Sequence, residues 1–415
     1  MKMNRALSLA MAGALSLSLL SGCGGGSGST SSAPSAAPSE SGSAAPAAVF
    51  KLGGTGPLTG GAAIYGNAAK NGAQIAVDEI NAAGGPIQFE LNYQDDEHDA
   101  EKAVNAYNAL KDWGMQLFLG SVTSTPCVAT SAESNTDRFF LLTPSASSTD
   151  VLGGVADPIT GIVNVPRKDN VFQMCFMDPN QGSASAQYIA DKSLGTKIAV
   201  IYKNDDVYSM GIYNSFKAKA DELGLDIVSA TTFTDSSQND FSVQLTEAKN
   251  AGADFIFLPI YYTPASLILS QAKSMGYAPK FFGVDGMDGI LSMDGFDTSL
   301  AEGVMLLTPF NADASTDATK NFVEKYKAQY GEVPNQFAAD GYDCVYAIKA
   351  ALEKSGATSD MSADQLCDLM ISTFTSSDFS FDGLTGEGMT WDSTGAVTKT
   401  PKGMIIQDGA YVGMD

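Results

Sequence analysis

The chain has 415 residues, 47 acidic against 24 basic side chains, a formal net charge of −23, and 44% of its residues are apolar. That excess of carboxylates excludes the basic footprint of a nucleic-acid binder and electrostatic docking on an anionic bilayer, and it suits a well-hydrated acidic surface. The length exceeds one ordinary core and fits two compact units.

Lys2 and Arg5 precede an apolar run from Ala6 to Leu20, which stops at Leu20-Ser21-Gly22-Cys23. The run is shorter than the about 20 residues a spanning helix needs, so residues 1–22 read as a lipoprotein signal peptide. An ordinary cleaved signal is the bland alternative. The cysteine directly after small Ser-Gly favours lipidation at Cys23, because several acyl chains together give stable anchoring. Residues 23–48 then form a Gly/Ser/Ala/Pro tether whose one charge is Glu40. With nothing large to bury, ordering it would cost backbone entropy without return. A flexible leash of that length spans on the order of 25–30 Å. The cargo is therefore expected outside the cytoplasmic membrane and close to it, lipid-anchored to its outer face, on the periplasmic side if an outer membrane exists.

From Val49 onward short apolar runs alternate with amphipathic segments. Val49–Gly53 reads as a strand, and Ala69, Ala73, Ala76, Ile80 and Ala83 fall on one helix face. Phe89, Leu91 and Tyr93 alternate as a strand does, and Val104, Tyr107 and Leu110 mark the next helix. Leu117–Leu119 and Phe139–Leu142 are continuous apolar runs of the kind a parallel sheet buries on both faces. The rhythm repeats with a strand at Ile198–Tyr202, a helix face of Met210, Tyr213, Phe216, Ala220 and Leu223, a strand at Phe255–Ile260, and a helix through Ile268, Ala272 and Met275. This βαβ pattern predicts an α/β fold with two Rossmann-like lobes, each a parallel sheet flanked by helices, one up to about Asp178 and one from Pro179 to about Thr308.

Five cysteines become four beyond Cys23: Cys127, Cys175, Cys344 and Cys367, none in a C-x-x-C pair, which argues against zinc. Outside the cytoplasm they allow disulfides, with Cys344–Cys367 the preferred pair, or they stay as free buried thiols.

In open parallel sheets ligands sit beyond the carboxyl ends of the strands. In the first unit those ends carry Gly53 through Gly60, Gly120 through Thr125, and Thr143 through Thr149, all rich in hydroxyls and backbone amides. Such groups at helix starts suit a carboxylate, although any single serine there is more often only a helix cap. The second unit offers Tyr208, Tyr261, Tyr262 and Asp285 at its strand ends. An acid opposite an anion-binding patch suits a zwitterion, since each charge finds a partner once water is expelled.

Several ordered motifs extend this reading: Gly56-Pro57-Leu58-Thr59-Gly60 with Tyr65-Gly66; Ala68-Ala69-Lys70-Asn71-Gly72-Ala73 running to Asp78-Glu79-Ile80-Asn81-Ala82-Ala83-Gly84-Gly85; Asp95-Asp96-Glu97; Thr143-Pro144-Ser145-Ala146; Gln181-Gly182; Asp240-Phe241-Ser242; and Asp340-Gly341-Tyr342-Asp343. With them the chain resembles the extracytoplasmic solute-binding proteins of ABC importers, of the leucine/isoleucine/valine-binding type, from about Val49 to the C-terminus. The resemblance implies the type I periplasmic-binding-protein fold, with lobes joined by a three-strand hinge: 49–178 plus 309–384 as lobe 1 and 179–308 plus 385–415 as lobe 2. It implies that Ser124 and Ser147 hold a ligand carboxylate, that Ser145 offers its carbonyl to the ammonium, and that Asp285 pairs with the same ammonium. Tyr208 and Tyr261 would close over the ligand, and Tyr65 and Phe337 would line its side-chain pocket. The implied partners are a small amino acid of the branched-chain type and the permease subunits that read the closed form; a monomer and no cofactor are expected. Two departures stand out. His98 and Thr123 occupy places where family members often carry a disulfide, and the segment Gly153–Lys168 is longer than usual.

An enzyme is the rival reading. The one histidine, His98, sits in the acidic stretch Asp95–Asp99, where a solvated residue at a helix start is expected rather than a catalytic base, and no Ser-His-Asp or Cys-His set can be assembled around it. The same stretch lacks the twelve-residue calcium-loop pattern, so no metal is expected. Gly53–Gly61 is not followed by the Gly-Lys-Ser/Thr of a phosphate loop. Within the same fold, a sugar site would want a tryptophan at a strand end, and neither Trp113 nor Trp391 is placed there. A short amide or urea would leave Asp285 without a cation. A ligand-sensing module is the remaining alternative.

Overall fold

The computed structural model describes residues 47–156 and 160–414. The expected signal peptide 1–22, Cys23 and nearly all of the tether lie outside the described residues. Among them no helix is long and apolar enough to cross a membrane.

The first sheet and its cover are built from β1 (Ala48–Gly56), α1 (Ala63–Ala82), β2 (Ile87–Asp95), α2 (Ala100–Trp113), β3 (Leu117–Phe118), α3 (Ser124–Asp137), β4 (Leu141–Thr143), α4 (Thr149–Leu152) and β5 (Val171–Gln173). β1 starts one residue inside the expected tether. The strand order is β2-β1-β3-β4-β5, all pairs parallel. The second sheet follows from α5 (Asp178–Asp191), β6 (Ile198–Lys203), α6 (Val207–Leu223), β7 (Ile227–Phe233), α7 (Ser242–Asn250), β8 (Phe255–Leu258), α8 (Tyr262–Ser274), β9 (Lys280–Gly283) and β10 (Met305–Thr308). α9 (Asp317–Tyr330), α10 (Gln336–Ser355) and α11 (Ala363–Phe374) come next, and β11 (Lys402–Gln407) and β12 (Ala410–Gly413) complete the second sheet as antiparallel edge strands in the order β12-β11-β10-β9-β8-β6-β7. The sequence periods succeed here for the expected reason: β4 and β8 are buried along their whole length, as parallel central strands are, and β5 at the sheet edge and β10 beside antiparallel β11 are covered as fully.

The chain passes between the sheets after β5, after β10, and finally near Lys399–Lys402. The last passage comes later than the expected 385. Met389, Trp391 and Val397 pack in the core of the first sheet with Phe172 and Phe374, because the indole buries against that aromatic cluster while its Nε1–H donates to the Gln173 carbonyl of β5 at 2.8 Å. The Asp340-Gly341-Tyr342-Asp343 motif anchors this stretch. Asp343 accepts the N–H groups of Leu384 (2.8 Å) and Thr385 (2.9 Å), and Asp340 pairs with Lys399 at 3.0 Å, both side chains 1% exposed. The long segment 153–168 folds back on itself, with the Gly154 N–H on the Val165 carbonyl at 2.7 Å and Ala156 bridging Val163.

Two of the motif glycines are contacts between helices. A Cβ on Gly72 of α1 would stand 1.8 Å from the Ala338 carbonyl oxygen of α10, and one on Gly341 would stand 2.2 Å from that of Ala69. The helices cross backbone to backbone there.

Two local expectations change. The buried face of α6 runs through Tyr208, Ile212, Phe216 and Ala220, while Met210 is 40% exposed; α6 turns its small and β-branched side toward α5, which approaches closely at Gly182. The preferred Cys344–Cys367 disulfide is absent. Cys127, Cys175, Cys344 and Cys367 are free and buried, and desolvation raises each thiol's pKa, Cys127 to about 11 and Cys367 to about 12. They fill core space as small apolar groups.

Candidate functional site

The carboxyl ends of β3, β4, β6, β8 and β9 converge on one small cavity of about 10 Å3, the room of a single water. Seven of the eight expected ligand-binding residues line it: Tyr65, Ser124, Ser145, Tyr208, Tyr261, Asp285 and Phe337, joined by Val122, Thr123 and Gly286. Ser147 is the exception. It is wholly buried behind the cavity, and its carbonyl accepts the Asp178 N–H at 3.0 Å. Its hydroxyl has no hydrogen-bond partner among the described residues, and burial raises the Asp178 carboxyl well above the usual carboxylate range.

One wall is made of hydroxyls and amides. α3 starts at Ser124 with no side-chain cap at Thr123, so the first-turn N–H groups and the positive end of the helix dipole are left for another acceptor. The Ser124 hydroxyl accepts the Ser148 N–H at 3.1 Å, and the Ser145 hydroxyl donates to the Val122 carbonyl at 2.7 Å. Both serines are thereby fixed in place.

The opposite wall carries the acid. Asp285 is 3% exposed; its Oδ1 accepts the Tyr208 hydroxyl at 2.5 Å, and its N–H donates to Gln181 Oε1 at 3.2 Å. Burial pushes its pKa up to about 7, against the lowering effect of Tyr208 and Gln181. At neutral pH it is poised between charged and neutral, and an adjacent cation would ionise it fully.

Aromatic rings fill the middle. Tyr261 stacks on Tyr208 at 4.8 Å, and Tyr65 meets Tyr261, Tyr262 and Phe337 at 5.3, 4.9 and 4.4 Å between ring centroids. Tyr65 also ties the two halves together, its hydroxyl donating to the Gly286 carbonyl at 2.5 Å while accepting the Tyr262 N–H at 3.1 Å. The adjoining Gly66 is required because a Cβ there would lie 2.0 Å from the Pro57 carbonyl oxygen.

His98 departs from its expected solvated position. Its Nδ1 shares a 2.8 Å hydrogen bond with Thr123 Oγ1, and its ring stands edge-on to Tyr261 at 5.5 Å. Glu97 and His98 both hold left-handed backbones, with φ of 50° and 60°, to bring the ring inward. Burial lowers its pKa, opposed first by the nearby Asp206 carboxylate, which in turn accepts the Thr125 hydroxyl at 3.2 Å. The usable signal was the pairing of His98 with Thr123 at the places where relatives often carry a disulfide, which the hydrogen bond between them now fills. Gln181 and Gly286 had no chemical signal beyond the motif and strand-end position.

A sequence model of the family described as periplasmic binding protein matches residues 49–404. A Leu/Ile/Val-binding protein homolog of Brucella melitensis biotype 1 is 29% identical over 311 residues, 74% of this chain and 79% of that protein. The crystal structure of a leucine-binding protein from Thermotoga maritima aligns over 88% of this chain and 98% of its own, with 26% identity and a TM-score of 0.76. A branched-chain amino acid transporter substrate-binding protein of Streptococcus pneumoniae, solved with isoleucine, aligns over 88% and 99% with 27% identity and a TM-score of 0.75.

Proposed function

The chain belongs to the periplasmic binding protein family, a family of substrate-binding proteins of ABC transporters rather than enzymes, and on that premise we propose that it captures a small amino acid, branched-chain by best fit, between its lobes. The observation that carries this reading is the pairing of opposite chemistries across one cavity: Asp285 on one wall and the uncapped start of α3 with Ser124 and Ser145 on the other. An ammonium and a carboxylate on one carbon span such a pair. In this reading Ser124 and the α3 amides take the carboxylate, Asp285 takes the ammonium, and the rings of Tyr65 and Phe337 receive an aliphatic side chain.

A cavity of about 10 Å3 holds no amino acid, so capture requires the lobes to part and then to close over the ligand, with Tyr208 and Tyr261 turning from each other toward it. Binding energy then shifts an open–closed equilibrium, and the closed form is what the transmembrane subunits of a permease recognise. Lipidation at Cys23 would keep the protein beside that permease. The relatives' names support a branched aliphatic ligand, and the apolar surfaces of Val122, Tyr65 and Phe337 agree with it.

Thermal unfolding of the ligand-stripped chain against the twenty amino acids, short amides and simple sugars tests the proposal. Stabilisation follows RT ln(1 + [L]/Kd), so a micromolar ligand at millimolar concentration adds about 4 kcal/mol. Leucine, isoleucine or valine should raise the midpoint by several degrees. A response to amides or sugars alone would overturn the role of Asp285, and silence across the panel would overturn transport.

A further inference from the structure

A larger cavity, of about 290 Å3, lies apart from the cleft and shares none of its lining. It approaches the lower end of small-molecule pockets, about 300 Å3. Leu291, Phe310 and Val333 supply apolar walls, and Asp288, Tyr411 and Asn335 supply polar ones. Lys327 and Asp313 stand at its exposed rim. The walls come from the turn after β9, the passage that follows β10, the α9–α10 loop and β12, so the cavity straddles the hinge.

Asp288 is its chemical focus. The side chain is 4% exposed. Its Oδ2 accepts the Gln336 N–H at 3.0 Å, the first residue of α10, where the helix dipole favours a negative charge. Its Oδ1 accepts no hydrogen bond of good geometry from the described residues. The neighbouring Tyr411 hydroxyl receives the Gly289 N–H at 3.2 Å and retains its own proton to donate. Burial raises the carboxyl to about 6, which the Gln336 N–H and Tyr411 hold down, so the group is largely ionised at neutral pH. None of the described lysines or arginines forms an ion pair with it. A buried carboxylate with neutral donors beside it but no cationic partner is costly to keep ionised, and a cationic donor delivered from the cavity to Oδ1 relieves that cost.

A bare metal ion is a poor candidate, because it needs several oxygen ligands and no group of three or more His, Cys, Asp or Glu gathers here among the described residues. An ammonium group on a short hydrocarbon body matches both parts of the lining. We propose that this hinge cavity is a second ligand site, separate from the cleft, which takes a compact primary amine with its ammonium on Asp288 Oδ1 and its hydrocarbon against Leu291, Phe310 and Val333. The ligand is cationic where the cleft ligand is zwitterionic: Asp288 is the buried charge of this cavity, and Lys327 stands out at its exposed rim.

The site also borders the cleft chemically. Asp288 and Asp285 share one short turn, in which the Asp288 N–H donates to the Asp285 carbonyl at 2.9 Å, and Gln336 Nε2 donates to that same carbonyl at 3.1 Å.

The test measures binding of 3-methylbutan-1-amine to the whole chain by calorimetry and ligand-observed NMR, with 3-methylbutan-1-ol as the uncharged counterpart. The amine should bind at least about tenfold more tightly than the alcohol. Asp288→Asn should remove about tenfold of amine affinity, and Ala410→Trp, placed on an exposed residue of the lining, should do the same by filling the cavity even if Asp288→Asn does not fold. Asp285→Asn should leave amine binding within about threefold. Loss of binding in Asp285→Asn with retention in Ala410→Trp would place the amine in the cleft and overturn the proposal. So would equal affinities for amine and alcohol, or no amine binding at millimolar concentration.

Discussion

At the residue scale the cleft acid is the most informative group. A carboxyl held at about 7 by burial is partly protonated at neutral pH, and only its ionised form pairs with an ammonium. The bound state therefore has the lower pKa, and binding releases protons. Below pH 7 the affinity for an amino acid should fall by up to tenfold per pH unit, and above pH 7.5 it should level off. Calorimetry between pH 5.5 and 8, in buffers of different ionisation enthalpy, measures both the trend and the proton count; an affinity independent of pH over that range would remove Asp285 from the ammonium. Asp285→Asn keeps the shape and deletes the charge, and should weaken amino acid binding by roughly 2 kcal/mol or more if the pair is desolvated, while the urea midpoint at neutral pH should be at or above that of the parent, since a buried charge is removed. The acid and the tyrosines were legible because they follow apolar strands, where an open sheet presents its ligands. His98 was not. Its neighbours are four acidic residues, Asp95, Asp96, Glu97 and Asp99, and composition argues for water; its place opposite Thr123, where relatives often carry a disulfide, was the signal that went unused, and two left-handed residues turn it toward Thr123 and Tyr261.

At the element scale the fold depends on helices that approach more closely than side chains allow. α1 and α10 meet through Gly72 and Gly341, and α10 carries Phe337 into the cleft and Gln336 onto Asp288. Gly341→Ala forces its new methyl against the Ala69 carbonyl and should cost about 1–3 kcal/mol, the range for an overpacked core. Urea unfolding should show a lower midpoint with an unchanged slope; an unaltered midpoint would mean that the helices separate freely at this crossing. The strand and helix rhythm was readable because each element repeats its apolar residues at its own period. Residues 385–399 were not, since they form isolated bridges around Trp391 rather than a periodic element. Their attachment to the first sheet is set by the carbonyl that the indole finds and by Asp343 and Asp340, distant in sequence, which hold Thr385 and Lys399.

At the scale of the whole molecule, buried carboxyls accumulate around the cleft and hinge. Asp285 and Asp96 are raised to about 7, Asp288 and Asp340 to about 6, and Asp178 and Asp206 are raised as well, with desolvation the leading cause in every case. Between the ordinary carboxylate pKa of about 4 and these folded values the native state binds more protons than the unfolded chain. Stability therefore declines as pH rises through that window. The lowered pKa of His98 acts in the opposite direction below pH 6.5, but it is one group against seven, Asp343 being raised as well. The carboxylates with lowered values, such as Glu79, Asp95 and Asp254, lose their contribution only below about pH 4. The formal charge of −23 adds self-repulsion that grows with pH in the same direction. The unliganded protein should consequently unfold at its highest temperature near pH 5 and several degrees lower at pH 8. A bound amino acid should flatten that slope, because its ammonium ionises Asp285 at low cost and removes one of the groups responsible. Midpoints measured from pH 4.5 to 8.5, with and without leucine, decide the matter: a midpoint that climbs steadily to pH 8 without ligand would show that the cleft and hinge carboxyls are solvated and ionised, in an open form, at neutral pH.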